Sequence, residues 1–219
     1  MPIGLFGGTF NPIHNGHLVV ARRIFSLLKL SRILFIPAKS PPHKQHQEIA
    51  KDSDRVKMVA LAISDYPDFA LCDIEIKRQG LSYTIDTILS LKKTVSNETF
   101  VFILGTDTFV HMASWKEPEA LLELCSFVIV PRAGFPFSRL PSLKAIEGIN
   151  KRALMAMDRN ERRSYTYRLS GTTRLYFRNI PWAEVSATKI RAGIHTNKNT
   201  ECLLPKSVMS YIIERGLYK

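Results

Sequence analysis

Two histidines three residues apart, His14 and His17, close the string GGTFNPIHNGH, which begins at Gly7 directly after a short apolar run. Imidazoles at that spacing can face one side of a first helical turn. A helix N-terminus adds unpaired N–H groups and a partial positive charge. The chemistry open to such a pair is hydrogen-bond donation to an anion, phosphate foremost. Gly7 and Gly8 lack a Cβ, so a phosphate can come close to backbone amides. Thr9 adds a hydroxyl, and Pro12 resists helix before a helix that starts near His17. A zinc site would want a third ligand, and no Cys, His or carboxylate stands beside the pair at a recognisable spacing. The loop is neither GxxxxGK[ST] nor GxGxxG.

A second anion-facing pattern, EVSATKIRAG, lies near the other end of the sequence. Ser186 is a natural N-cap, and Thr188 and Arg191 fall three apart on one helical face, aimed with the helix N-terminus. Five smaller elements lie between. PPHK, ending in His43 and Lys44, is a rigid basic loop or a plain surface turn. SYTIDT, with Tyr83 and Thr84, puts hydroxyls at a helix start, where Ser82 or Thr84 could equally cap. GTD, from Gly105 to Asp107, could flank a nucleotide or cap a helix through Thr106 or Asp107. Trp115 precedes a helix and is open to a packing role, while Arg132 stands before a Gly-aromatic pair.

Strand-like apolar runs at 3–6, 32–37, 69–76, 99–105, 126–131 and 173–177 must position these residues. Helix-length segments at 18–28, 53–63, 83–91 and 118–124 separate them, with another short helix after VSAT and a last one at 205–215. Alternation of this kind predicts an α/β, Rossmann-like, doubly wound parallel sheet with helices on both faces and a small C-terminal helical part. The ligand crevice of such a sheet lies beyond the carboxyl ends of its strands. The glycine-histidine string, the loop with Lys39, GTD and RAGF each follow an apolar run. The stretch 131–150 reads as a loop.

The 219 residues, 45% hydrophobic, fit a single domain, 1–219: a nucleotide-binding core at 1–135, a basic excursion with a late strand at 136–182, and C-terminal helices at 183–219. The start MPIGLFGG shows no basic leader, and no apolar run approaches the roughly 18 to 20 residues of a membrane span. Three widely spaced cysteines suggest neither a disulfide framework nor a zinc knuckle. The expectation is a soluble, cytoplasmic protein. Of the net charge of +12, half falls in 151–178, where eight Lys or Arg face Asp158 and Glu161.

Taken together, GGTFNPIHNGH and EVSATKIRAG resemble the paired signatures of the nucleotidyltransferase superfamily that shares an HxGH motif with class I aminoacyl-tRNA synthetases. The whole order of elements is similar to the bacterial nicotinate-nucleotide adenylyltransferases. The resemblance implies His14 and His17 as catalytic contacts to the phosphates of ATP, with Gly7, Gly8, Thr9, Phe10, Gly105, Asp107, Ser186, Thr188 and Arg191 binding ATP. It implies Lys39, His43, Lys44, Tyr83, Thr84, Trp115 and Arg132 on the nicotinate mononucleotide. Mg²⁺ would arrive with ATP, no residue binding the metal directly. Asn11 stands where the family often has Asp, and Ala38 and Lys39 stand where asparagines often precede PPH.

The reaction implied is attack of the mononucleotide phosphate on the α-phosphorus of ATP, with release of pyrophosphate. Another phosphorylated acceptor, such as phosphopantetheine, is an alternative within the superfamily. An RNA-binding module using the basic 151–178 segment with Tyr165, Tyr167 and Tyr176 is an alternative of another class. No nucleic acid or membrane partner is expected, and a homo-oligomer is open. Every version of the nucleotide reading requires the two ends of the sequence to meet around one triphosphate.

Overall fold

The computed structural model describes residues 1–39, 49–95, 98–169, 171–180, 185–196, 198 and 200–219. Seven strands and nine α-helices among them run in the order β1 (Ile3–Gly8), α1 (Asn15–Leu28), β2 (Arg32–Pro37), α2 (Asp52–Ile63), β3 (Phe69–Leu71), α3 (Ile74–Lys77), α4 (Thr84–Thr94), β4 (Phe100–Gly105), α5 (Thr106–Phe109), α6 (Pro118–Leu124), β5 (Ser126–Val130), α7 (Lys151–Asp158), β6 (Ser164–Arg168), β7 (Arg174–Arg178), α8 (Ala187–His195) and α9 (Lys206–Arg215). The strands form one sheet in the order β3-β2-β1-β4-β5-β7-β6. The chain reverses its direction of winding between β1 and β4, which is the doubly wound α/β architecture expected. Among the described residues, no helix is long and apolar enough to cross a membrane.

Two compact units divide the chain, one of Met1–Leu5 with Tyr83–Trp182, the other of Phe6–Ser82 with Ala183–Lys219. In the first, β4 pairs in parallel with β1 (Ile3 opposite Phe100) and with β5 (Val101 opposite Ser126). All six residues of β4 are buried, as a strand covered on both faces requires. β5 pairs in parallel with β7, and β6 closes the edge antiparallel to β7, with Arg168 opposite Arg174. Phe109 meets Phe177 edge-on at 5.9 Å in this core.

In the other unit β2 pairs in parallel with β3, Ile33 opposite Phe69. A chain of rings, Phe6 to Phe35 at 5.5 Å and Phe35 to Phe69 at 5.3 Å, fills its centre. α1 lays Leu18, Ala21 and Ile24 on that core at helical spacing and stops at Lys29, whose φ of 48° is left-handed.

Four expectations are corrected. The helix read as 18–28 starts at Asn15, because His14 and His17 cap it themselves. The run 69–76 is strand only to Leu71. Cys72 still donates to the carbonyl of Phe35 at 2.8 Å, but Asp73 then begins a helical turn closed by Lys77 N–H to its carbonyl at 3.0 Å. The sheet has one antiparallel member, β6. Finally, the helix α7 and strand β6 had no counterpart in the sequence reading.

Candidate active site

The glycine-histidine string lies wholly in the unit of Phe6–Ser82 and Ala183–Lys219. His14 is the N-cap of α1. Its backbone N–H donates to Nδ1 of His17 at 3.2 Å, and the His17 N–H donates back to the His14 carbonyl at 2.9 Å. The two rings stack, centroids 3.7 Å apart. A neutral imidazole that accepts on Nδ1 carries its proton on Nε2, so the first bond assigns the His17 tautomer and makes Nε2–H a donor. His14 is 2% exposed and His17 more open. Phe10 walls the His17 ring edge-on at 5.1 Å and Phe6 at 5.8 Å.

Two of the string's three glycines have a steric reason. A Cβ on Gly8 would sit 3.2 Å from the Phe10 ring. One on Gly16 would lie 3.0 Å from His14 Nδ1 and 3.5 Å from Cβ of Val185. That second neighbour belongs to the C-terminal pattern, so the two ends of the sequence do meet in this unit. Asn15 confirms it through its side-chain N–H to the Cys202 carbonyl at 3.0 Å.

Ser186 caps α8 as its type predicts, its Oγ accepting from Lys189 N–H at 3.1 Å. Thr188 is exposed on the first turn. Arg191 reaches back, Nη1 donating to the Asn11 carbonyl at 2.8 Å. Two residues upstream, the fully buried Arg55 donates Nη1 to the Thr9 carbonyl at 2.7 Å and Nε to the Ala50 carbonyl at 3.2 Å, and pairs with Asp52. A buried guanidinium is tolerable only with such partners.

α2 is in turn tied to α9. The Tyr211 hydroxyl donates to Asp54 at 2.8 Å, and Arg215 stands 3.6 Å from the same carboxylate. Lys39 donates its ammonium to the Arg78 carbonyl at 2.9 Å and its N–H to Ser82 Oγ at 3.3 Å. His43 and Lys44 lie outside the described residues.

The remaining candidates lie in the other unit. At the end of β4, a Cβ on Gly105 would lie 2.7 Å from Cγ of Arg132 and closer still to Asp107. The bare backbone lets those two side chains pack over it, Arg132 Nε 3.6 Å from Asp107 Oδ1. Thr106 does not cap α5; its Oγ1 accepts the Arg132 N–H at 2.9 Å. Burial pulls the Arg132 guanidinium below its ordinary range, while Asp107 acts in the opposite sense. An ATP-assigned residue and a mononucleotide-assigned residue are thus partners.

Tyr83 is the N-cap position of α4, Thr84 its first residue, and the Tyr83 ring carries the Lys116 ammonium 5.2 Å from its centroid. Lys116 is itself paired with Asp86 at 3.0 Å. Trp115 packs edge-on to Phe102 at 6.4 Å and is only partly buried. Beyond the carboxyl ends of β5 and β7 opens a cavity of about 450 Å³ lined by Arg132, Gly134, Phe135, Met157 and Asn179. Asp158 holds its rim, accepting the N–H of Phe137 at 2.6 Å and of Ser138 at 3.1 Å.

Among the described residues, no three His, Cys, Asp or Glu side chains cluster to hold a metal ion. The donors near the two phosphate patterns are imidazole, hydroxyl and guanidinium, a set that suits an anion and not a hard cation. Sequence reasoning passed over Arg55, Asp54, Tyr211 and Tyr218. Arg55 left one trace, an arginine inside an otherwise core-facing helical period.

The chain resembles known proteins over its whole length. The cytidylyltransferase-like family model matches residues 5–193. The nicotinate-nucleotide adenylyltransferase of Bacillus subtilis is 35% identical, the match covering 99% of this chain and 98% of that protein. The probable nicotinate-nucleotide adenylyltransferase of Geotalea uraniireducens is 35% identical over 100% of this chain and 98% of its own length. A solved structure of the Plasmodium falciparum nicotinic acid mononucleotide adenylyltransferase complexed with NaAD superposes with a TM-score of 0.72 at 21% identity, covering 99% of this chain and 97% of that one.

Proposed function

Because the chain belongs to the cytidylyltransferase-like family and, within it, to the nicotinate-nucleotide adenylyltransferases, we propose that it transfers the adenylyl group of ATP to nicotinate mononucleotide. The products are nicotinate adenine dinucleotide and pyrophosphate, a step of NAD biosynthesis carried out in the cytoplasm. The observation that carries the reading is Arg191 bonded to the backbone of the glycine-histidine loop, a contact between the two patterns that the reading assigns to one triphosphate.

In the reaction, an oxygen of the mononucleotide's 5′-phosphate forms a bond to the α-phosphorus of ATP as the bond from that phosphorus to the bridging oxygen of pyrophosphate breaks. The nucleophile is already an anion, so no general base is needed. What this chain supplies is positioning and fixed donors. His17 offers Nε2–H, its tautomer set by the His14 amide. Arg191 offers the guanidinium edge not bound to Asn11, and α8 its capped N-terminus. These favour the oxygens on which charge accumulates as pyrophosphate departs.

Magnesium enters as part of the substrate, Mg·ATP. Arg132, with Tyr83 and Trp115 in the same unit, keeps its role toward the pyridine nucleotide, and its pairing with Asp107 sets it beside a residue that keeps its role toward ATP. Lys39 keeps the pyridine-nucleotide role as part of the proposal, as do His43 and Lys44.

The test is pyrophosphate release from ATP with nicotinate mononucleotide and, in parallel, its amide. Release with the acid in preference supports the reading. Release only with another acceptor, such as phosphopantetheine, or none with any, overturns it.

A further inference from the structure

Asn11 is held on both of its faces. Its backbone carbonyl receives Arg191 at 2.8 Å. Its side-chain Oδ1 receives the N–H of Ala50 at 3.0 Å and the hydroxyl of Tyr218 at 2.8 Å. The Ala50 amide can only donate, so it fixes which amide atom is the oxygen. Asn11 is 6% exposed, and water is a poor substitute for either donor there. Ala50 is itself pinned by Arg55, which also holds the Thr9 carbonyl. Residues 9 and 11, immediately before the histidine pair, are therefore fixed by two guanidinium groups, one amide and one phenol.

We propose that Tyr218 is a positioning residue for the triphosphate. Its hydroxyl sets the Asn11 side chain and, through the same residue's backbone, the carbonyl that orients Arg191. A guanidinium recognises phosphate through a planar fork, so its value depends on orientation as much as on charge. Without the phenol, Ala50 alone of these two donors still holds the Asn11 side chain, and the loosened peptide can shift and carry the guanidinium with it. This inference rests on the reading of Arg191 as a phosphate ligand.

The experiment compares binding of α,β-methylene-ATP and of nicotinate mononucleotide by titration calorimetry in wild type, Tyr218→Phe, Asn11→Ala and the double variant, with thermal unfolding beside it. Tyr218→Phe is expected to weaken the ATP analogue about three- to tenfold, the scale of one buried hydrogen bond, and to leave the mononucleotide unchanged. The double variant should bind the analogue no more weakly than Asn11→Ala alone. Equal affinity for the analogue in wild type and Tyr218→Phe, equal loss for both ligands, or additive losses in the double variant would each overturn the proposal. If Tyr218→Phe does not fold, Asn11→Ser, which leaves the phenol intact, carries the same expectation of an ATP-selective loss, and its absence overturns the proposal. A wild type that binds the analogue yet releases no pyrophosphate would instead count against the functional reading alone.

Discussion

Arg191 and Asn11 stand 180 residues apart in the sequence and 2.8 Å apart in the fold, guanidinium to carbonyl. That bond commits one edge of the fork to the protein, and on the proposed reading the other edge meets the triphosphate. Replacing Arg191 by Ala removes both, and kcat/KM for ATP should fall by about 10² or more, the scale of a lost preorganised donor. Lys restores the charge but not the planar pair of donors, so Arg191→Lys should recover only a minor part of the loss. Steady-state kinetics with varied ATP at saturating mononucleotide checks both. Full recovery by Lys would mean that charge alone is read at this position.

On the proposed reading His17 has two jobs, one for each nitrogen, and they can be separated. Nδ1 accepts the His14 N–H at 3.2 Å, while Nε2–H faces away from that bond. Asn in place of His sets an amide oxygen near the Nδ1 position and has nothing at Nε2. His17→Asn should therefore unfold within a few degrees of wild type and lose about 10² in kcat, while His17→Ala should lose turnover and also part of the cap, about 1 kcal/mol. Thermal melts beside turnover numbers decide it. Wild-type turnover in His17→Asn would remove Nε2 from the mechanism.

How far these features were legible in the sequence follows from what makes each one local. The strands β1, β2, β4 and β5 are continuous apolar runs whose burial on both faces leaves little choice, and the string GGTFNPIHNGH shows its turn and its histidine pair within eleven residues, though not the cap that His14 makes. Ser186 likewise fulfils a rule that spans three residues. β6 could not be read this way. Its SYTYR alternates one partly buried ring with one exposed residue and depends on β7 for half its ladder. Tyr218 and Arg55 belong to no motif at all, since their importance comes from carbonyl and amide groups 207 and 46 residues away. Thr106 was open to a capping role and instead serves the Arg132 amide, a partner no local rule supplies.

Gly16 and Gly105 make opposite predictions for the same substitution. A Cβ at Gly16 gains helix propensity of about 1 kcal/mol, but it would lie 3.0 Å from a His14 ring that is already stacked on His17. Gly16→Ala should leave the melting temperature nearly unchanged and reduce kcat about tenfold or more by turning the ring pair. At Gly105 there is no helix gain, and the Cβ would collide with Asp107 and with Cγ of Arg132, an atom too near the backbone to move freely. Gly105→Ala should cost about 1–3 kcal/mol of stability and raise KM for both ATP and the mononucleotide, because the Cβ displaces Asp107 and Arg132 together. Calorimetric melts and the two KM values test the pair together. A Gly105→Ala protein with both KM values unaltered would argue that the Asp107–Arg132 pair serves neither substrate.

Tyr218 also leaves a mark on the pH dependence of stability. Burial pushes its phenol above the ordinary range, against the opposing pull of Arg191 and Arg55. A group whose folded value is raised binds its proton more tightly in the native state, so its contribution is fully present below the unfolded value of about 10. The contribution is then lost as pH rises from there through the folded value. Between those two limits the loss from this one group runs up to about 1.4 kcal/mol per pH unit. Wild type should therefore lose stability faster than Tyr218→Phe once the pH passes about 10, and the two urea-unfolding curves should converge as pH increases. At neutral pH wild type should be the more stable by about 1 kcal/mol, because the Asn11 side chain keeps its second donor. Parallel curves across the alkaline range would mean that the phenol is as free to ionise in the native protein as in the unfolded chain.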